Sequence, residues 1–230
     1  TLGQHANKIF CLVRTSVEGK PQEGISFLLV DLNTPGIEMR PIRLIEGGHE
    51  VNEVFFTDVR VPAKNLVGEE NRGWTIAKYL LSHERTGIAG VGFSMQALEE
   101  VKAIAVMTKR GAKRLINDPL FAARLAKVEI DLEAMKITNL RMLFRAQEQG
   151  APGPETSILK IKGSVINQEL QDLARRALGP LASPFPGHVN EGNLLFGPPD
   201  TAFNAARYFN NRKTSIFGGS NEIQRNILTK

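Results

Sequence analysis

The chain has 230 residues, 42% of them hydrophobic, with 29 basic and 24 acidic side chains giving a net charge of +5. That length buries a substantial core and accommodates one large or two small domains, and no apolar run approaches the roughly 20 residues that a membrane span requires. A single cysteine, Cys11, excludes an internal disulfide framework and fits a reducing compartment such as a cytoplasm.

The basic residues fall in short clusters, Lys109-Arg110, Lys113-Arg114 and Arg175-Arg176. They lack the aromatic interleaving of a single-strand binder, so they read as solvated helix faces rather than a nucleic-acid surface. A modest positive balance also suits an anionic substrate. No His, Cys and carboxylate cluster has metal-ligand spacing, and neither a phosphate-binding loop nor a dinucleotide fingerprint occurs. The expectation is an enzyme or module without metal and without a nicotinamide cofactor. Cys11, inside Ile9-Phe10-Cys11-Leu12-Val13, reads as a small buried hydrophobe.

The chain opens at Thr1-Leu2-Gly3 without an initiator methionine, as though in mid-motif, which reads as a fragment of a longer parent. Ile9 to Val13 and Ile25 to Val30 have the length and content of strands, separated by a Gly/Pro turn over Gly19 to Gly24. Asn33-Thr34-Pro35-Gly36 is a turn, and Glu53 to Thr57 and Val59 to Pro62 are further extended pieces. From Trp74 to about Thr108 the apolar spacing predicts one long helix, with no proline to break it. Asp118-Pro119 starts a second helix, to about Gln149. A third spans roughly Glu155 to Leu178, and a Gly/Pro-rich loop runs from Gly179 to about Pro199. Two shorter helices follow, near Asp200 to Asn210 and Asn221 to Lys230. The fold class is therefore α+β: a partial antiparallel β-domain over residues 1–72, then an all-α helical bundle over 73–230.

The final helix is the most informative element. Gly218-Gly219 permits backbone angles and close approach that a side chain would block. Ser220 caps the helix, Glu222 suits its dipole, and the exposed N–H groups form a site for a phosphate-bearing ligand. The helix carries apolar residues at Ile223 and Ile227.

Four blocks in order resemble the acyl-CoA dehydrogenases and together span almost the whole chain. They are Gly24 to Val30 with Pro35-Gly36; Gly47 to Phe56 with Val59 to Pro62 and Asn65 to Gly68; Gly73-Trp74 through His83-Glu84-Arg85-Thr86-Gly87; and Gly218-Gly219-Ser220-Asn221-Glu222-Ile223-Gln224-Arg225. The resemblance implies FAD-dependent α,β-dehydrogenation of an acyl-CoA thioester, with an electron-transfer flavoprotein as oxidant. It implies a homotetramer, or a heteromer with a related subunit. Thr1 falls on the threonine that meets the flavin ring in this family. Gly218, Gly219 and Ser220 fall on the terminal cofactor turn, and Arg110 on an arginine that reaches the cofactor from a neighbouring subunit. Two departures accompany Arg110: Lys113 stands where the family has phenylalanine, and Leu178-Gly179-Pro180 replaces Leu-Gly-Gly.

Such chemistry needs a carboxylate to remove the α-proton, its pKa raised by desolvation towards the working pH. Many family members carry it immediately before the glycine of the terminal motif, a position held here by Gly218. Isovaleryl- and long-chain acyl-CoA dehydrogenases carry it on the first long helix, before an arginine. Glu84 precedes Arg85 at the matching place. In isolation Glu84-Arg85 is a solvated pair on a helix; with Gly218 vacant, the resemblance makes Glu84 the base and Arg85 a substrate-binding residue. The adjacent His83 projects to a different face and reads as structural. Two alternatives share the same residues: a non-catalytic partner subunit, and an acyl-CoA oxidase.

Overall fold

The computed structural model describes residues 1–149, 153–154, 156–183, 201 and 203–229, with side chains 82–86, 88 and 149 outside the description. The chain packs as two compact units, Thr1–Ser82 and His83–Lys230.

In the first unit every strand pair is antiparallel. β1 (Lys8–Arg14) pairs with β2 (Ile25–Asp31) in the register Lys8↔Asp31 to Arg14↔Ile25. β3 (Ile37–Ile42) pairs with β4 (Val51–Phe56), Ile37 opposite Phe56. The short β5 (Leu66–Val67) closes the first sheet against β2. β3 escapes the sequence pattern because its outward residues Glu38 and Arg40 are charged and it contains Pro41; in a two-stranded ribbon a proline disrupts no third strand. Arg40 bonds Glu38 at 2.7 Å and lies 4.6 Å from the Phe55 ring centroid. Val59 to Pro62, anticipated as an extended piece, joins no ladder. Proline cannot donate there, and the segment runs into a 3-10 turn at Ala63–Asn65.

The sheet passes to helix at Gly73, the first residue of α1 (Gly73–Ile88). A β-carbon on Gly73 would sit 2.6 Å from backbone atoms of Ser26 and Phe27, so only glycine lets the helix begin this close to β2. Ser26, fully buried, fixes the approach by accepting from the Asn71 N–H at 2.8 Å and bonding Thr15 at 2.7 Å.

The single helix anticipated from Trp74 to Thr108 is two. α2 (Val91–Met107) starts after Gly90, whose φ of 57° is left-handed and ends α1. Continuous apolar spacing and a lack of proline hid this break; a glycine can stop a helix as firmly. Ala89 is buried against α4 (Thr156–Leu178), where a β-carbon on Gly163 would lie 2.6 Å from the Ala89 carbonyl oxygen. Asp118 caps α3 (Pro119–Gln149), accepting from the Leu120 and Phe121 N–H groups at 3.0 and 2.9 Å. Between α2 and α3 lies a hairpin, β6 (Lys109–Arg110) and β7 (Lys113–Arg114). Two of the three basic clusters read as helix faces are therefore strands, joined through Gly111 at φ 62°, whereas Arg175-Arg176 lies in the last turn of α4. α5 (Asn204–Asn210) and α6 (Asn221–Leu228) complete the unit. The expected loop lies outside the described residues from 184 to 200; its first part, Gly179–Ala182, is a 3-10 turn.

The core of the second unit comes from α2, α3 and α4: Val101, Ala105, Leu132, Leu159, Leu170 and Leu173 are each at most 1% exposed. Half-buried charges tie α3 to α4 alongside it. Arg124 bonds Glu169 at 2.9 Å and Asp172 at 3.0 Å, and Asp172 also accepts from Arg176 at 2.6 Å and Arg175 at 3.0 Å. Burial alone would raise the Asp172 carboxyl; the hydrogen bonds from Arg176, Arg124 and Arg175 prevail and hold it at about 2.

A carboxyl at about 2 when folded and 3.8 when unfolded contributes about 2 kcal/mol, fully present above the unfolded value and lost as pH falls through the folded one. Urea unfolding of the full-length protein should show Asp172→Asn losing that amount at pH 7 and almost none near pH 2. An equal loss at both pH values would show that the arginines do not hold the ionised form.

Candidate functional site

The candidate site is built on the start of α6. Gly218 and Gly219 have φ of 66° and 82°, so this turn needs residues without a β-carbon. Ser220 is the N-cap, its hydroxyl accepting from the Ile223 N–H at 3.3 Å. The Glu222 carboxyl lies below the usual carboxylate range, held first by its own backbone N–H and then by the Ser220 hydroxyl. The helix has the apolar residues foreseen, but the face it turns to its neighbours is largely polar, with Ile227 half-buried three residues after Gln224. Its buried residues are Asn221 and Gln224, whereas Ile223 and Leu228 are 52% and 38% exposed.

That polar face is answered by α4. Lys160, 2% exposed, donates from Nζ to Asn221 Oδ1 at 2.9 Å, and Ser164 Oγ lies 3.1 Å from Asn221 Nδ2. Burial pushes the Lys160 ammonium down from its ordinary value, opposed by the charge of Glu222. Gln224 Nε2 donates to the Gly218 carbonyl at 3.0 Å, and a β-carbon on Gly219 would come within 2.6 Å of the same nitrogen. The Gln224 Oε1, buried, has no hydrogen-bond partner among the described residues. Lys160, Asn221 and Gln224 were not singled out from sequence. The available signal was register: Lys160 falls four residues after Thr156 and three before Gly163, on the buried stripe of α4.

Arg110 stands elsewhere. It is exposed on β6, and its Nη2 donates to the Arg176 carbonyl at 3.2 Å, near the C-terminal end of α4. Asn221 is anchored at Lys160 and Ser164, 12 to 16 residues earlier on the same helix. At about 1.5 Å per residue the two points are roughly 18–24 Å apart along α4, so one chain does not bring Arg110 and Ser220 onto the same atoms. The β6–β7 register sets Lys109 opposite Arg114 and Arg110 opposite Lys113, four exposed cations facing in like-charged pairs.

Glu84 and Arg85 lie in α1, but their side chains, like that of His83, are outside the described residues. Thr1 is exposed in the first unit, next to Leu2, whose N–H donates to the Glu50 carbonyl at 2.6 Å. A cavity of about 1060 Å³ lies between α2, α4 and α5. Its walls include Leu181 and Thr201, and among the described residues none of the cofactor candidates lines it. Among the described residues no three His, Cys, Asp or Glu side chains gather as a metal set, and no helix is long and apolar enough to cross a membrane.

Residues 71–230 match the family described as acyl-CoA dehydrogenase, C-terminal domain. Acyl-CoA dehydrogenase IpdE1 of Mycobacterium tuberculosis is 34% identical over 223 residues, covering 96% of this chain and 53% of the relative. The chain thus spans about half the length of such relatives. The crystal structure of the ChsE4-ChsE5 complex from M. tuberculosis superposes with a TM-score of 0.79 at 27% identity, covering 99% of this chain and 57% of that one. The Tcur3481-Tcur3483 steroid ACAD gives 0.79 at 26% identity, covering 97% and 55%. The family match over residues 71–230 and the superpositions over nearly the whole chain agree, and this chain belongs to the acyl-CoA dehydrogenases.

Proposed function

We propose that this chain is the C-terminal part of an FAD-dependent dehydrogenase that converts an acyl-CoA thioester to the trans-2-enoyl-CoA. The observation carrying the reading is the Gly218-Gly219-Ser220 turn: two left-handed glycines and a capped helix start, backed by buried polar anchors. Residues 1–72 would be the end of the middle β-domain and 73–230 the helical domain.

The residues present fit a flavin. The turn offers close backbone approach and the positive end of α6, and the Gln224 Oε1 is a buried acceptor without a partner among the described residues. Gly218, Gly219 and Ser220 would hold one end of the cofactor, with Thr1 at the ring. Arg110 would reach the cofactor of a neighbouring subunit. The separation of roughly 18–24 Å along α4 favours that arrangement over one within a single chain. So does the hairpin charge: like charges directly opposite repel, and an anionic pyrophosphate would relieve four of them at once. Lys113, where the family has phenylalanine, adds to that charge.

When bound, the flavin supplies the acceptor for the β-hydride. Glu84 takes the α-proton, held on α1 more rigidly than on a loop, while Gly218 leaves the place of the commoner base without a side chain. Arg85 contacts the substrate. An electron-transfer flavoprotein would be the oxidant, in a bacterial cytoplasm.

The assembly would form through the helical unit. Ile130, Ile137 and Phe144 recur every seven residues along α3 and are 69%, 53% and 65% exposed, a stripe suited to a partner helix. The partner is a second copy or a related subunit. The latter is favoured by the two-component names of the ChsE4-ChsE5 and Tcur3481-Tcur3483 structures. In such a pair Glu84 argues that this chain is the catalytic member.

Glu84→Gln in the full-length parent should lower turnover on the order of 100- to 10,000-fold while FAD content stays unchanged. Retention of most activity by Glu84→Gln would remove Glu84 as the base. Ile137→Glu should shift the parent to a smaller species in sedimentation; an unchanged mass would place the interface elsewhere.

A further inference from the structure

α6 is held in an unusual way. A short surface helix ordinarily docks by an apolar stripe, yet this one turns Asn221 and Gln224 inward and leaves Ile223 half exposed. Ile227 is half-buried on that side, and Asn221 adds hydrogen bonds to α4 that fix the start of the helix. The principal donor is the Lys160 ammonium, 2% exposed, at 2.9 Å from Asn221 Oδ1; Ser164 is the second anchor.

Burying an ammonium against a neutral amide is costly, and an apolar pair at both 160 and 221 would often be neutral or more stable. What the ammonium adds is direction. It fixes Asn221, the first residue of α6, and hence Ser220 and the glycine turn immediately before it. Gln224 completes the arrangement from the other side by donating to the Gly218 carbonyl at 3.0 Å. The turn is thereby clamped at both ends, by Lys160 through Asn221 and by Gln224 directly.

We infer that Lys160 is a positioning residue: through Asn221 and Ser164 it sets the orientation of the Gly218-Gly219-Ser220 turn for the flavin. This rests on the flavin reading given above. Lys160 acts through Asn221, whose carbonyl oxygen it orients, and makes no contact with cofactor or substrate in this account. Glu222 faces the same end of α6 and partly balances the buried charge.

The test is FAD titration of the apo form of the full-length parent, with thermal melting and the visible flavin spectrum recorded alongside. Lys160→Met keeps the volume and removes the donor. It should melt somewhat lower than the parent, because Asn221 Oδ1 loses its principal donor, and bind FAD on the order of tenfold more weakly, with a shifted flavin spectrum. Lys160→Gln, which keeps a donor without the charge, should recover most of that affinity; a purely packing role would not separate Met from Gln in this direction. If Lys160→Met fails to melt cooperatively, Ser164→Ala decides, since it removes the second anchor of Asn221 without emptying the site. Weaker FAD binding by Ser164→Ala supports the inference. Wild-type affinity and spectrum in Lys160→Met, or in Ser164→Ala where that variant decides, overturn it while leaving the flavin reading intact. A parent that binds no FAD at all removes both.

Discussion

The second unit is organised around the burial of α4. Twelve of its 23 residues are buried, and Leu170 and Leu173 have no exposed surface. A helix enclosed on several faces must satisfy each neighbour by a different means, and α4 does so in sequence order. Lys160 and Ser164 receive α6 through hydrogen bonds. Gly163 receives the Ala89 backbone by having no side chain. Gln168 receives the 3-10 turn Asn211–Ser215 before α6, donating to the Asn211 and Arg212 carbonyls at 3.2 Å, and Arg212 returns a bond to the Gln168 carbonyl at 3.1 Å. Glu169 and Asp172 receive Arg124 of α3, and the Arg176 carbonyl receives Arg110. One rigid rod thus sets the spacing between the two basic or electropositive features that an anionic cofactor could use.

Apolar and polar contacts divide the labour along that rod. Leucines and alanines supply most of the burial free energy, which is large but non-directional. Hydrogen bonds to buried polar groups contribute less net stability, yet leaving one unmade is expensive, so they select a single arrangement. The polar contacts fall at α6 and at the arginine cluster, where they fix orientation. The apolar ones fill the centre. Tyr208 belongs to the same pattern: the Arg175 and Arg212 guanidinium carbons lie 4.9 and 4.4 Å from its ring centroid, which fixes α5 beside the approach to α6.

Much of this was legible in the chain. Strand-length apolar runs gave β1 and β2, Asp118-Pro119 marked the start of α3, and Ser220 marked the cap of α6. Signals resting on one residue in a long pattern were harder to read. Gly90 looks like a tolerated helix glycine until its left-handed φ is seen, and β3 hides behind Glu38, Arg40 and Pro41. The basic pairs at 109–110 and 113–114 have no periodicity to separate a two-residue hairpin from a helix face. Lys160 is the most instructive. A lysine in an amphipathic helix reads as solvated, and only its register with Thr156 and Gly163 betrays a buried position. Its partner Asn221 lies 61 residues away, a separation that no local pattern encodes.

The central claim is that the α6 turn belongs to a flavin site in a longer acyl-CoA dehydrogenase. The most direct measurement is the visible absorption spectrum of the purified full-length parent, with the cofactor released by denaturation and quantified. The account predicts an oxidised flavin spectrum, with FAD recovered in stoichiometric proportion to its sites. A parent that purifies without flavin and does not take up added FAD would contradict it.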